Sequence, residues 1–211
     1  MLPGLDAAAG VAALSAGLGS PYGVSGAAWL PAAGTAHVPA LPNGQAAAMI
    51  RIEEFAESVR YRIGRLRDQF GLADAVVLEG DASRDVWRAI RDVAPLGVLP
   101  EHAVWRVSVR PSAGPAVLAA AQAAGLSGFL DWGGGLVWLS GAPDAAAHRT
   151  VETAARASGG VWTLMRAPDA LRLSVDVVPP EPKPLARITQ EVKSALDPAG
   201  IFNPGRLYAG L

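Results

Sequence analysis

S-G-F-L-D-W-G-G-G-L-V-W-L, residues 127 to 139, holds two short apolar runs separated by three glycines. Ser127 to Trp132 and Gly135 to Leu139 read as strands, and Gly133-Gly134 supply the backbone freedom of a tight turn, so the stretch predicts a β-hairpin. An anion-binding nest needs the same glycines. No Gly-x-Gly-x-x-Gly follows a strand and opens a helix, so the dinucleotide fingerprint is absent. Alanine-rich helices flank the hairpin. Pro115 to Ala124 stops at Gly125; Pro143, at a first helical position, opens a helix to Ser158 that Gly159-Gly160 closes. Glu152 and Arg156 form an i,i+4 pair on it. Val161 to Arg166 and Leu171 to Val178 read as two further strands. Val104 to Val109 alternates, with Val104, Arg106 and Ser108 on a wet face opposite Trp105, Val107 and Val109.

The first half follows a similar order. Asp6 caps a helix to Leu18 that ends at Gly19. Tyr22 to Leu30 is a strand, Pro31 to Gln45 a proline- and glycine-rich loop, and Ala46 to Ile52 a strand. Glu53 to Phe70 is a helix expected to bury Phe55, Val59, Ile63, Leu66 and Phe70, ending at Gly71. Ala75 to Leu78 reads as a strand. Asp81 or Ser83 can cap the next helix, which carries Val86, Trp87, Ile90 and Val93 and ends before Pro95. Alanine-rich helices allow close packing on β-branched strands. The expected fold is α+β: a ferredoxin-like antiparallel sheet covered by helices on one face, two similar halves, then a C-terminal helix and tail.

With 211 residues, 51% hydrophobic and 18% charged, the chain can bury a full core. A net charge of −1 argues against nucleic acid as a partner. The chain has no cysteine, which removes disulfides, thiolate zinc sites and iron–sulfur ligation by this chain. No apolar run approaches the roughly 20 residues of a membrane span. Val11 to Leu18 has no preceding Lys or Arg, so it reads as a short helix and not as a signal segment.

The chain closes with K-S-A-L-D-P-A-G-I-F-N-P-G-R-L-Y, residues 193 to 208. Leu185, Ile188, Val192 and Leu196 give the preceding helix one apolar stripe, and Asp197-Pro198 stops it. Ile201 and Phe202 are an apolar pair expected to be buried. Asn203-Pro204-Gly205-Arg206 reads as a type II turn that holds out an amide and a guanidinium.

The run L-D-P-A-G-I-F-N-P-G-R (196 to 206) resembles the C-terminal signature of FAD-linked oxidases of the vanillyl-alcohol oxidase type. S-P-Y-G-V-S-G-A-A-W-L-P-A (20 to 32), M-I-R-I-E-E-F-A-E-S-V (49 to 59) and F-L-D-W-G-G-G-L-V-W-L (129 to 139) extend the resemblance over nearly the whole chain. Together they resemble the C-terminal, cap half of the FAD-binding E subunit of bacterial glycolate oxidase. The resemblance implies residues 1–211 are one cap domain of a FAD-dependent 2-hydroxy-acid oxidoreductase. The FAD-binding N-terminal domain has no counterpart here, so the chain alone is expected to be inactive and not to hold FAD. It implies, as partners, that FAD domain, a D-type flavin subunit and an iron–sulfur subunit. The implied location is cytoplasmic, peripheral at the inner membrane face through the complex. Asn203, Gly205 and Arg206 are the implied cofactor-binding residues; a C-terminal clasp plugged by Phe202 uses the same turn. A non-catalytic ferredoxin-like assembly module is the alternative function.

No catalytic residue is identifiable. His37, His102 and His148 are far apart and lack metal-ligand spacing, so they read as surface histidines and no metal site is expected. Arg60, Arg62, Arg65 and Arg67 can grip a carboxylate or an acidic partner, or form a solvated face, since their spacing points them around the helix. Trp87 and Trp105 read as core; Trp29, Trp132, Trp138 and Trp162 fit core or subunit contact. Trp29 stands where relatives place histidine. Asp131 and Trp132 are expected on the surface facing the absent flavin module.

Overall fold

Short β-branched and aromatic runs, each ended by glycine or proline, set the elements of this computed structural model, which describes residues 1–42, 44–71, 75–205 and 208. In chain order these are β1 (Leu2–Pro3), α1 (Ala7–Leu18), β2 (Val24–Leu30), α2 (Ala32–Thr35), β3 (Ala47–Ile52), α3 (Ala56–Phe70) and α4 (Gly80–Arg91). There follow β4 (Ala103–Ser108), α5 (Gly114–Ala123), β5 (Ser127–Asp131), β6 (Leu136–Gly141), α6 (Ala145–Ala157), β7 (Val161–Arg166), α7 (Asp169–Arg172) and α8 (Lys183–Leu196). Seven strands form one sheet in the order β1-β3-β2-β5-β6-β4-β7. Every pairing is antiparallel, as an α+β fold requires. The run β4-α5-β5-β6-α6-β7, with the sheet order β5-β6-β4-β7, is a complete ferredoxin-like unit. The first half contributes β1, β3 and β2, joined to that unit where Trp29 faces Leu130.

The expected hairpin is the centre of the sheet. Ser127 pairs with Ser140 and Asp131 with Leu136, and Trp132–Gly134 makes a single 3-10 turn. Strand alternation then gives the sheet two unlike faces. One is covered by α1, α5 and α6, whose Leu14, Val117, Leu118 and Val151 pack on Trp105, Leu130, Val137, Leu139 and Trp162. The other carries a smaller core: Val86 and Ile90 of α4, with Leu96, cover Ala28, Leu30, Phe129 and Val104. The sheet is thus covered on one face entirely and on the other in part.

Several local expectations are corrected. Of the buried face expected on α3, only Leu66 is buried and Phe55 is 82% exposed. Phe55 precedes the first helical residue, and a groove of about 560 Å³ separates α3 from the sheet, lined by Ile63, Leu66, Met49 and Trp87. Residues 75–78 form no strand: Val76 exchanges two backbone hydrogen bonds with Met1 and pairs no further. Leu171 to Val178 also forms no strand; Pro168 and Asp169 start the one-turn α7, and the stretch meets β7 through isolated bonds, the Val177 carbonyl accepting from the Leu164 N–H and the Asp176 carbonyl from Trp162 Nε1. Asp144, not Pro143, begins α6, its carboxylate accepting from the N–H groups of Ala146 and Ala147. α4 has no side-chain cap from Asp81 or Ser83.

Candidate functional site

Asp197 is the buried polar residue that organises the tail: one carboxylate oxygen accepts from the Ile201 N–H at 3.0 Å, the other from the Phe202 N–H at 2.9 Å and from Lys193. Hydrogen bonding to Lys193, aided by those two amides, holds its pKa down to about 2. Lys193 also donates to the Phe202 carbonyl, so the end of α8 and the peptide after it are tied together. Gly200 and Gly205 take positive φ, the latter at +67° as the third position of a type II turn requires. Asn203 is left-handed too, at +47°.

The apolar side chains do the opposite of what their pattern suggests. Ile201 is 70% and Phe202 62% exposed, so the pair plugs no core. Leu185, Ile188, Val192 and Leu196 are exposed as well, and no residue of α8 is buried. Asn203 and Gly205 are exposed; Arg206 lies outside the described residues. The tail presents an amide and a turn, with no phosphate cradle among the described residues.

The second region is the uncovered part of the smaller-core face. Phe129, Trp138, Arg106 and Thr163 form a row across β5, β6, β4 and β7, each directly opposite the next. Phe129 is fully buried under Leu96 and its neighbours, whereas Trp138, Arg106 and Thr163 are half-buried. The adjoining row is Asp131, Leu136, Ser108 and Val161. The expectation that Asp131 and Trp132 sit at a surface holds for Trp132, which is 67% exposed. Asp131 is half-buried; burial pushes its pKa up, opposed by its hydrogen bond from the Trp132 N–H at 2.8 Å.

Trp132 adopts φ +50°, a conformation that costs an L-residue about 1–2 kcal/mol. It is imposed from beneath. Gly133 and Gly134 are buried, and a Cβ on Gly134 would come within 2.7 Å of Val11 and 2.8 Å of the Pro111 carbonyl. With the glycines wedged against α1, the loop is a hairpin turn and not an open anion nest. Trp132 and Asp131 border a depression of about 680 Å³ beside α4, with Trp87, Arg51, Arg88 and Arg91. Gly26 makes room for the Trp87 ring, over which the Arg51 guanidinium lies at 5.8 Å. These arginines are already paired: Arg51 with Glu53, Arg88 with Asp85 and Arg91 with Asp92.

The remaining candidates separate. Arg62 reaches the Tyr22 carbonyl at 3.5 Å and Arg65 bonds the Tyr22 side chain, which raises its pKa; Arg60 is exposed and the helix forms no common grip. His37 is exposed and His102 half-buried, but His148 is a correction: it is 3% exposed. Its Nδ1 accepts from Trp105 Nε1 at 3.2 Å, and it meets Trp162 edge-on, so it is a neutral core residue. Trp29 is buried and donates to the Leu5 carbonyl at 2.9 Å, a structural role. Sequence reasoning missed Trp138, Arg106 and Thr163 as a group. The legible signal was a lone arginine on the wet side of an otherwise apolar strand.

Among known proteins, the chain is 38% identical over 127 residues to the glycolate oxidase subunit GlcE of Escherichia coli (strain K12). That stretch is 59% of this chain and spans only 31% of the relative's length. No protein-family description matches the chain.

Proposed function

We propose that the chain is the cap domain of a FAD-dependent oxidoreductase acting on 2-hydroxy acids of the glycolate type, its FAD held by a separate domain. The observation that carries this is the 38% identity to a glycolate oxidase subunit. The exposed turn at Asn203 and Gly205 is consistent with it, because a cap must offer polar groups outward. On this reading Asn203, Gly205 and Arg206 close the edge of the flavin site, and a D-type flavin subunit and an iron–sulfur subunit complete the assembly. Bound FAD supplies the two-electron acceptor; the chain's own share is to orient the substrate, exclude water and compensate its charge.

The test is to purify the chain together with its FAD-binding domain and partner subunits and to measure bound flavin and glycolate-dependent dye reduction. Asn203→Ala and Arg206→Ala are expected to lower flavin occupancy and turnover while the assembly stays intact. An assembly with full flavin content and unchanged turnover in both variants contradicts the reading. A second reading, a non-catalytic assembly module, is favoured by the exposed apolar stripe of α8. It gains if the chain joins the complex through α8 and flavin content is indifferent to the tail.

A further inference from the structure

Trp138, Arg106 and Thr163 sit side by side on three adjacent strands and share one face of the sheet. Among the described residues, the Arg106 guanidinium has no carboxylate, carbonyl or hydroxyl partner, and neither does the Trp138 indole N–H or the Thr163 hydroxyl. The arginines lining the neighbouring depression each hold an acidic partner. The Arg106 nitrogens remain open to solvent, and five N–H donors in a fixed fork match an oxyanion. Strands lie about 4.8 Å apart, so the three Cα positions span about 10 Å, with the arginine in the middle. The surroundings are apolar: Val161 and Met165 flank the row on β7, and Trp138 packs on the smaller core. A small anion there can meet three donors, the arginine's being charge-assisted.

We propose that the Trp138–Arg106–Thr163 row is the binding site for the carboxylate of a small organic acid, with Arg106 as its anchor. The choice of a 2-hydroxy acid rests on the oxidase reading above; the binding of a carboxylate does not. A compact acid of two or three carbons fits better than phosphate, because one planar carboxylate takes the bidentate fork while an adjacent hydroxyl can reach Thr163 or Trp138.

The test is an NMR titration of the full chain with sodium glycolate, at constant ionic strength against sodium chloride and inorganic phosphate. Expected are saturable shifts of the Trp138 indole N–H and of the β4 and β7 amides around Arg106 and Thr163. Arg106→Gln is expected to weaken binding at least about tenfold, and Arg106→Lys to restore part of it. The spectrum of each variant checks its fold. Equal shifts with chloride or phosphate, unchanged affinity in Arg106→Gln, shifts centred on Arg88 and Arg91, or no saturable shift would overturn the proposal. FAD content of the assembled complex reports separately. Arg106-dependent glycolate binding without flavin in the complex leaves this inference standing and removes the oxidase reading; flavin without such binding does the reverse.

Discussion

Trp105 and Arg106 are consecutive residues on one strand, and they belong to different worlds. Trp105 is fully buried under α5 and α6, its one polar atom satisfied by His148. Arg106 is half-buried on the opposite face, with five donors and no protein acceptor among the described residues. Period-two alternation therefore divides the sheet into a face whose polar groups are all answered from within and a face that leaves donors for something else. The same division separates α6, packed along its length, from α8, whose apolar stripe is bare. One part of the molecule is closed by its own packing, and the other leaves polar donors and an apolar stripe exposed.

That contrast can be broken most forcefully at its first residue. Trp105→Ala should cost about 3–5 kcal/mol in urea unfolding, since it opens a cavity and strands His148; Arg106→Ala should stay within about 0.5 kcal/mol. Similar losses for the two would dissolve the distinction. Gly134→Ala comes next, at about 2 kcal/mol, because a Cβ meets Val11 and the Pro111 carbonyl and φ is +102°. Its melting curve should fall while glycolate shifts at Arg106 persist.

His148 sharpens the contrast through pH. Burial lowers its pKa below the ordinary 6.5, outweighing the pull of Glu152 and Asp176. The unfolded chain therefore binds a proton more readily than the folded one. Stability contributed by neutral His148 is complete above about pH 6.5 and declines as pH falls toward the folded-state value. Thermal melts at about pH 8 and about pH 5 should show this slope, and His148→Gln should flatten it. The smallest effect is expected on α8. Leu185→Ser, Ile188→Ser and Val192→Ser should each change stability by no more than about 0.5 kcal/mol, a measurement that a hidden packing partner would upset.

Elements with their own stop signals were legible in the sequence. Asp6 and Gly19 bounded α1, Gly125 ended α5, and the glycines after Trp132 made the hairpin. Apolar pattern alone misled where burial depends on what lies opposite. Val76 bonds Met1 and Val77 joins no strand, and α3, set off by a groove, buried Leu66 alone. Ile201 and Phe202 have an apolar signature but no core within reach, since Asp197 fixes their backbone at the end of an unpacked helix. The tail turn could be read from Pro204-Gly205. The donor row could not, because Trp138, Arg106 and Thr163 come together only through strand order, which no local motif encodes.

Amide hydrogen exchange on the chain alone and within its assembly with the FAD-binding domain addresses the central claim most directly. The account predicts new protection in β4 and β7 around Arg106 and Thr163, in α8 and in residues 200–205, with α5 and α6 unchanged. Protection confined to α5 and α6, or none on the open face and tail, would contradict it.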